Sequence, residues 1–327
     1  MEVRSKFMAF SKGARVRYTQ RDQNGARKGW VWKRCGSSFL PVVLKKTEPD
    51  PVPNWGKLLD DVLVQIFERL PLQERSQVVP LVCRNWNKVS CDPTSWRRID
   101  MLPWIQHQID TECKWEYDMQ PYVDYLVKKL VDRSRGQLRE LHTMYISDEA
   151  VDYLAERCPL LEVLTMPSSL GVTDKSALKL ARVARRLQHL DVSDCYNISK
   201  EAISAFGDNC PALEWLSRSM INQNVVNEAE SSSSPPGGDE EAIVMSEHYP
   251  KLKRLEMKKT KISDRGLRRL VIGCPNLQQL DFSCCYQLTR GALDDVSKNC
   301  SNLAITKPIT PRMHVTPTHP HCTMLFE

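Results

Sequence analysis

From Leu138 onward the chain sets leucines in pairs three residues apart: Leu138/Leu141, Leu161/Leu164, Leu187/Leu190, Leu213/Leu216, Leu252/Leu255 and Leu277/Leu280, with a partial copy at Leu303. The first leucines follow one another at intervals of 23, 26, 26, 39, 25 and 26 residues. The one long interval holds Glu228–Glu241, with Ser231–Ser234 and Pro235-Pro236-Gly237-Gly238, so a single flexible insertion near 222–241 explains the break. Other positions keep the same phase. A third apolar residue follows the pair (Met166, Val192, Met257, Phe282), and Cys158, Cys210 and Cys274 precede it, each followed by proline. Thr173, Ser199, Ser263 and Thr289 then stand before helix-like stretches, where a hydroxyl suits an N-cap. Each period therefore predicts a short strand, a turn and a helix.

A different pattern lies upstream. Leu59, Val62, Leu63, Ile66, Phe67 and Leu70 recur at helical steps until Pro71 ends the run. Val78, Val79, Leu81, Val82, Trp86 and Val89 continue as further short helices, closed by Trp96. A block of about 45 residues buries only a modest share of its own surface, so part of this apolar face is expected to lie against the repeats or against a partner protein. Residues 101–137 read as a helical connector, with a helical stretch near Tyr122–Leu130.

Charge changes the picture at the start of the chain. The formal net charge is +6, but residues 1–46 hold twelve Lys/Arg against Glu2 and Asp22, leaving the remainder with a net of −4. Residues 1–52 therefore read as a basic disordered arm running into a linker with Pro49, Pro51 and Pro53. Such an arm could bind nucleic acid or acidic lipid, serve as a nuclear signal or transit peptide, or simply be solvated. Nucleic acid is the unlikelier partner, and no membrane association is expected, because no apolar run approaches the roughly 18 residues of a membrane helix. Twelve cysteines spread along a chain without an export signal point to reduced thiols in the nucleus or cytoplasm. Those of the repeats recur with the core and show no close Cys-x-x-Cys pair, so neither a metal site, a cofactor nor a catalytic cysteine is expected. His314, His319, His321 and Cys322 lie among prolines in 306–327, which reads as a disordered tail.

A 20-to-29-residue period of this kind is the leucine-rich-repeat pattern, in which units that cannot bury their apolar side alone stack and cover one another. The copies Leu187-Gln-His-Leu-Asp-Val-Ser-Asp-Cys195 and Leu277-Gln-Gln-Leu-Asp-Phe-Ser-Cys-Cys285 resemble the cysteine-containing subtype. The run from Trp55 to Leu72, then Val82-Cys83-Arg84-Asn85-Trp86 and Pro93-Thr94-Ser95-Trp96, resembles an F-box. The order of the two is similar to the F-box substrate receptors of SCF ubiquitin ligases, and the short body with Pro250–Met257 after an insertion resembles the small plant Skp-interacting members. The resemblance implies an α/β fold: a three-helix F-box over 53–100, then a short solenoid of about six to seven repeats over 138–305.

It also implies a non-catalytic role. The F-box would bind a Skp-type adaptor, which joins cullin and RING subunits, while the repeats bind an unknown protein target; the alternative is a scaffold of the same fold without ubiquitin transfer. By motif position Leu58, Leu59, Ile66, Leu70, Pro71, Leu72, Val82, Cys83 and Trp86 would face the adaptor or support that face. The family's usual Leu-Pro is Leu58-Leu59 here, a departure expected to weaken adaptor binding slightly. Target contacts are expected from residues alternating with the buried leucines, namely Val163, Thr165, His189, Asp191, Trp215, Ser217, Arg254, Glu256, Gln279 and Asp281, with Trp215 and Arg254 as the best anchors.

Overall fold

The computed structural model describes residues 16–21, 27–35, 38–43, 55, 58–112, 116–220, 237–300 and 303–306. The chain divides into two units, Met1–Trp55 and Gly56–Glu327.

In the first unit β1 (Val16–Arg21), β2 (Arg27–Cys35) and β3 (Ser38–Val43) form an antiparallel meander with β2 in the middle. Val16 pairs with Val31 and Trp30 with Val43, and the register slips between Tyr18 and Gln20. The expectation of a disordered arm is thus corrected over 16–21, 27–35 and 38–43. High charge hid a segment rich in Val, Tyr, Trp and Phe, residue types that suit a pleated strand. Pro41, which cannot donate to a ladder, sits on an edge strand, where that loss is tolerated.

The second unit is built on the leucine pairs. Eight three-residue strands lie parallel and in strict chain order: β4 (Arg98–Asp100), β5 (Glu140–His142), β6 (Val163–Thr165), β7 (His189–Asp191), β8 (Trp215–Ser217), β9 (Arg254–Glu256), β10 (Gln279–Asp281) and β11 (Ala304–Thr306). Their middle residues stay in register, Leu141 against Leu164, Leu190, Leu216, Leu255 and Leu280 in turn, and all of these are buried. Six ten-residue helices return the chain on the far side: α6 (Asp148–Arg157), α7 (Asp174–Val183), α8 (Lys200–Asn209), α9 (Asp239–His248), α10 (Asp264–Gly273) and α11 (Arg290–Asn299). One continuous apolar core runs between the strands and the helices, including Met166, Val192, Met257 and Phe282 at the third apolar position.

The solenoid starts earlier than the leucines indicate. Ile99 of β4 pairs with Leu141, although Ile99 has no leucine partner at the repeat spacing. Residues 101–137, expected as a connector, hold α4 (Leu102–Glu112) and α5 (Glu116–Ser134). Met119, Val123, Val127 and Val131 of α5 are buried in the same core as the leucines, so this segment is a first turn of the stack.

Neighbouring turns are tied by a ladder of carboxylates. Asp148, the first residue of α6, accepts from the backbone N–H and the hydroxyl of Thr173 at 2.7 Å each. Asp239 binds Ser263 in the same way (2.8 and 2.6 Å), and Asp264 binds Thr289 (2.8 and 2.7 Å). Asp174 accepts from the Ser199 N–H at 2.7 Å, and Asp124 of α5 takes both groups of Ser147. Each carboxylate at a helix N-terminus complements the helix dipole, while each hydroxyl also accepts an N–H of its own helix.

The ladder breaks once. The α8 helix opens with Lys200, and α9 is preceded by Gly238, which has no side chain to cap with. Here a different link takes over. Arg218 is fully buried; it donates to the carbonyls of Val192, Cys195 and Ile198 (3.2, 2.8 and 2.6 Å) and to Glu241 Oε1 and Oε2 (3.1 and 3.2 Å). Asp239–Glu241, expected to end a flexible insert, instead form the first turn of α9. Residues 221–236, the remainder of that insert, and 307–327, with His314, His319, His321 and Cys322, lie outside the described residues.

Candidate functional site

Between residue 58 and β4 the chain forms α1 (Asp60–Glu68), a π-helical turn (Glu74–Val78), α2 (Val79–Val82), α3 (Arg84–Ser90) and a 3-10 turn (Pro93–Trp96). Asp60 and Asp61 favour the start of α1 through the dipole. Leu63 and Phe67, one turn apart, bury against Val79 and Val89 in a core of four residues. Trp86 sets its ring edge-on to Phe67 at 5.2 Å between centroids, and Cys83 Sγ caps α3 by accepting the Trp86 N–H at 3.5 Å.

That small core leaves much apolar surface uncovered. Leu59 is 74% exposed and Leu81 83%, and Val62, Val78 and Val82 are exposed with them. Covering each such side chain is worth about 1.5–3 kcal/mol, and groups of exposed aliphatics of this size mark interaction surfaces. Of the expected adaptor set, Leu59, Val82 and Pro71 are exposed. Leu58, Ile66, Leu70 and Trp86 are half-buried against the small core, Cys83 is a half-buried cap, and Leu72 packs on the solenoid core instead. Val62, Val78 and Leu81, which were not in that set, are exposed beside it; their signal was a helical phase away from the buried Leu63, Phe67 and Val79. Leu59 stands at the N-cap of α1 with φ −60°, so the family's proline would precede the first turn rather than sit in it.

The block is fixed to the repeats by a buried arginine. Arg75 Nη1 donates to the carbonyls of Ser95 (3.2 Å) and Arg98 (2.9 Å), and its guanidinium lies 4.8 Å from the centre of the Trp96 ring. Burial lowers its pKa to about 10, partly offset by Glu68. Trp96 belongs to the solenoid core and donates its indole N–H to Ser90 at 2.8 Å. A cavity of about 490 Å³ opens at this junction, lined among others by Leu72, Arg75, Arg98, Trp104 and His142.

On the sheet, all ten residues expected to face a target occupy the first or third place of their strands, with the middle leucine buried between them. Register brings them into two columns: Val163, His189, Trp215, Arg254 and Gln279 in one, Thr165, Asp191, Ser217, Glu256 and Asp281 in the other. The sheet extends both columns to Arg98 and Glu140, and to Asp100 and His142, which the leucine pattern did not reveal. His189 stacks on Trp215 with centroids 3.7 Å apart and rings 4° from parallel. Arg254 lies 4.0 Å from the centre of the Trp215 ring, held by two N–H groups on Glu256 Oε1 at 3.0 and 2.6 Å. Burial, with His142 nearby, pushes the His189 pKa down to about 4, so the ring stacks in its neutral form. Burial raises the thiols of Cys158, Cys195 and Cys210 to about 12.

Residues 57–102, which contain the uncovered aliphatics, match the F-box-like family model. Over 78% of its length the chain is 33% identical to F-box protein SKIP1 of Arabidopsis thaliana, covering 86% of that protein. The chain belongs to the F-box family. This F-box protein is also 32% identical to F-box protein FBW2 of Arabidopsis thaliana, over 72% of the chain and 69% of the relative. Putative F-box/LRR-repeat protein 23 of the same plant is 29% identical over 81% of the chain and 54% of its own length. The repeats and the F-box together therefore make it an F-box/leucine-rich-repeat protein like the small plant SKIP proteins.

Proposed function

We propose that this F-box protein is the substrate-recognition subunit of an SCF-type ubiquitin ligase in the nucleus or cytoplasm. The aliphatic face of α1 and α2 docks a Skp-type adaptor, which brings cullin and RING subunits, and the concave strands hold a protein target. The chain breaks no bonds itself. Holding a target beside a charged conjugating enzyme replaces a bimolecular encounter by an effectively intramolecular one, which is where its contribution to rate lies.

The observation that carries the reading is the bare apolar face of residues 59–82 within a segment matching the F-box-like model. Its test is capture of a recombinant Skp-type adaptor by the full chain. Leu59→Asp with Leu81→Asp places two charges where the apolar contact would be desolvated, and adaptor capture is expected to vanish while the melting temperature holds. Ile66 and Leu70 are poorer choices, because both pack on the small core and their change would unfold the block. Unchanged capture by the Leu59/Leu81 variant sinks the docking face. Adaptor capture without recovery of a cullin from cell extract favours the scaffold alternative.

A further inference from the structure

The concave face, taken as the target-binding surface of the reading above, has a chemical bias of its own. Its two outward columns and the overhanging Lys258 carry five carboxylates (Asp100, Glu140, Asp191, Glu256, Asp281) against three cations. All three cations are engaged. Arg98 grips Glu140 with two contacts of 2.7 Å, Arg254 sits on Glu256 at 2.6 Å, and Lys258 bridges Glu256 (2.9 Å) and Asp281 (3.4 Å).

Asp191 differs from the other carboxylates of the central strands. It accepts the Ser193 N–H at 2.9 Å, and among the described residues it forms no ion pair. In register it lies between Thr165 and Ser217, two buried hydroxyl residues, which leaves it flanked by small side chains. On its own strand stands His189, stacked on Trp215. The far side of Trp215 shows what such a setting holds: there the chain's own Arg254 sits over the indole, 4.0 Å from its centre, with two N–H groups on Glu256. The Asp191 side repeats the carboxylate beside an aromatic stack without the guanidinium.

We infer that the centre of the concave face, around Asp191, Ser217 and Glu256, receives a lysine or arginine side chain from a basic segment of a protein target. A cation lowered onto Ser217 stands beside Asp191, whose charge no cation among the described residues answers, and beside the edge of the His189–Trp215 stack; Glu256, already held by Arg254 and Lys258, closes the far side. Burial raises the Asp191 carboxyl above its usual range, and Glu256 and Asp194 add to that against the Ser193 bonds, so an incoming cation relieves an existing electrostatic cost.

The test uses the full chain and two labelled twelve-residue peptides of Gly/Ser background, one carrying four arginines and one four glutamates, followed by fluorescence anisotropy. The basic peptide is expected to bind, and Asp191→Asn to weaken it about tenfold, the scale of one lost charge contact. Asp61→Asn, the same charge change on exposed α1, leaves that affinity unchanged. Because the amide preserves the shape and can still accept the Ser193 bond, the melting temperature of Asp191→Asn is not lowered. Equal loss with Asp61→Asn, or no loss with Asp191→Asn, overturns the inference. Adaptor capture by the same preparations reports separately on the ligase reading: Asp191→Asn retains it if that reading stands, and wild type lacks it if that reading fails.

Discussion

The F-box block and the repeats solve the same problem in opposite ways. In the repeats every strand from β5 to β10 seals its central leucine under a helix, and apart from Val163 the flanking residues are polar or aromatic. In the block a core of only four residues leaves Leu59, Val62, Val78, Leu81 and Val82 bare. A stack gains cover from each neighbour, so its stability grows with length. A short helical segment has no neighbour on its outer side, and its surplus apolar area is available to another protein. Where a protein of this size leaves aliphatics exposed is therefore more informative than how many it buries.

That contrast can be broken most severely at the ladder's gap. Arg218→Ala leaves Glu241 buried without its partner, and a loss of about 3–5 kcal/mol is expected by chemical denaturation. Replacing both, Arg218→Met with Glu241→Leu, is expected to recover part of that loss, since the desolvation cost of both charges disappears while the carbonyls of Val192, Cys195 and Ile198 still lose their donor. Next comes truncation of matched leucines. Leu190→Ala costs about 2–5 kcal/mol through the cavity it opens, whereas Leu81→Ala, already in water, stays within about 0.5 kcal/mol. Similar costs at the two sites would erase the distinction drawn above.

Smaller effects sharpen it. Thr173→Ala removes the cap of α7 and its bond to Asp148, for a loss of about 1 kcal/mol in the same measurement. The smallest effect concerns His189. Its folded pKa of about 4 lies below the ordinary value, so the unfolded chain takes up a proton first as pH falls. Its share of stability is whole above about pH 6.5 and is lost between there and about pH 4, amounting to about 1 kcal/mol for a ring that keeps some solvent contact. His189→Phe flattens the melting temperature over that window; an unchanged slope counts against the neutral stacked ring.

Local chemistry was legible and distant pairing was not. Leucine phase located β5 to β11, and the hydroxyls Thr173, Ser199, Ser263 and Thr289 do cap α7, α8, α10 and α11. The first and third places of β6 to β10 followed from alternation alone, but not that Thr165, Ser217 and Glu256 would be buried there. Ile99 escaped because one isoleucine ahead of the periodic region carries no phase. The Asp148–Thr173 and Asp239–Ser263 links join residues 25 and 24 apart and have meaning only once the turns are stacked. Arg218 with Glu241 was hidden for another reason: two charges flanking a Ser/Pro/Gly stretch read as solvated, whereas tertiary packing takes both out of water. In the F-box segment the helical face was legible, but not how the small core would divide it, so neither the packing of Leu72 on the solenoid core nor the exposure of Leu81 could be read from spacing.

One geometric consequence follows from β4. Arg98–Asp100 both lies within the segment that matches the F-box-like model and forms the first strand of the sheet, so the two parts of the molecule share an element. Eight strands, seven steps of about 4.8 Å, span roughly 34 Å from β4 to β11. Under the function proposed above, a target held on a given strand sits at a set distance from the F-box segment, and deleting one turn of the stack shortens that distance by about 5 Å.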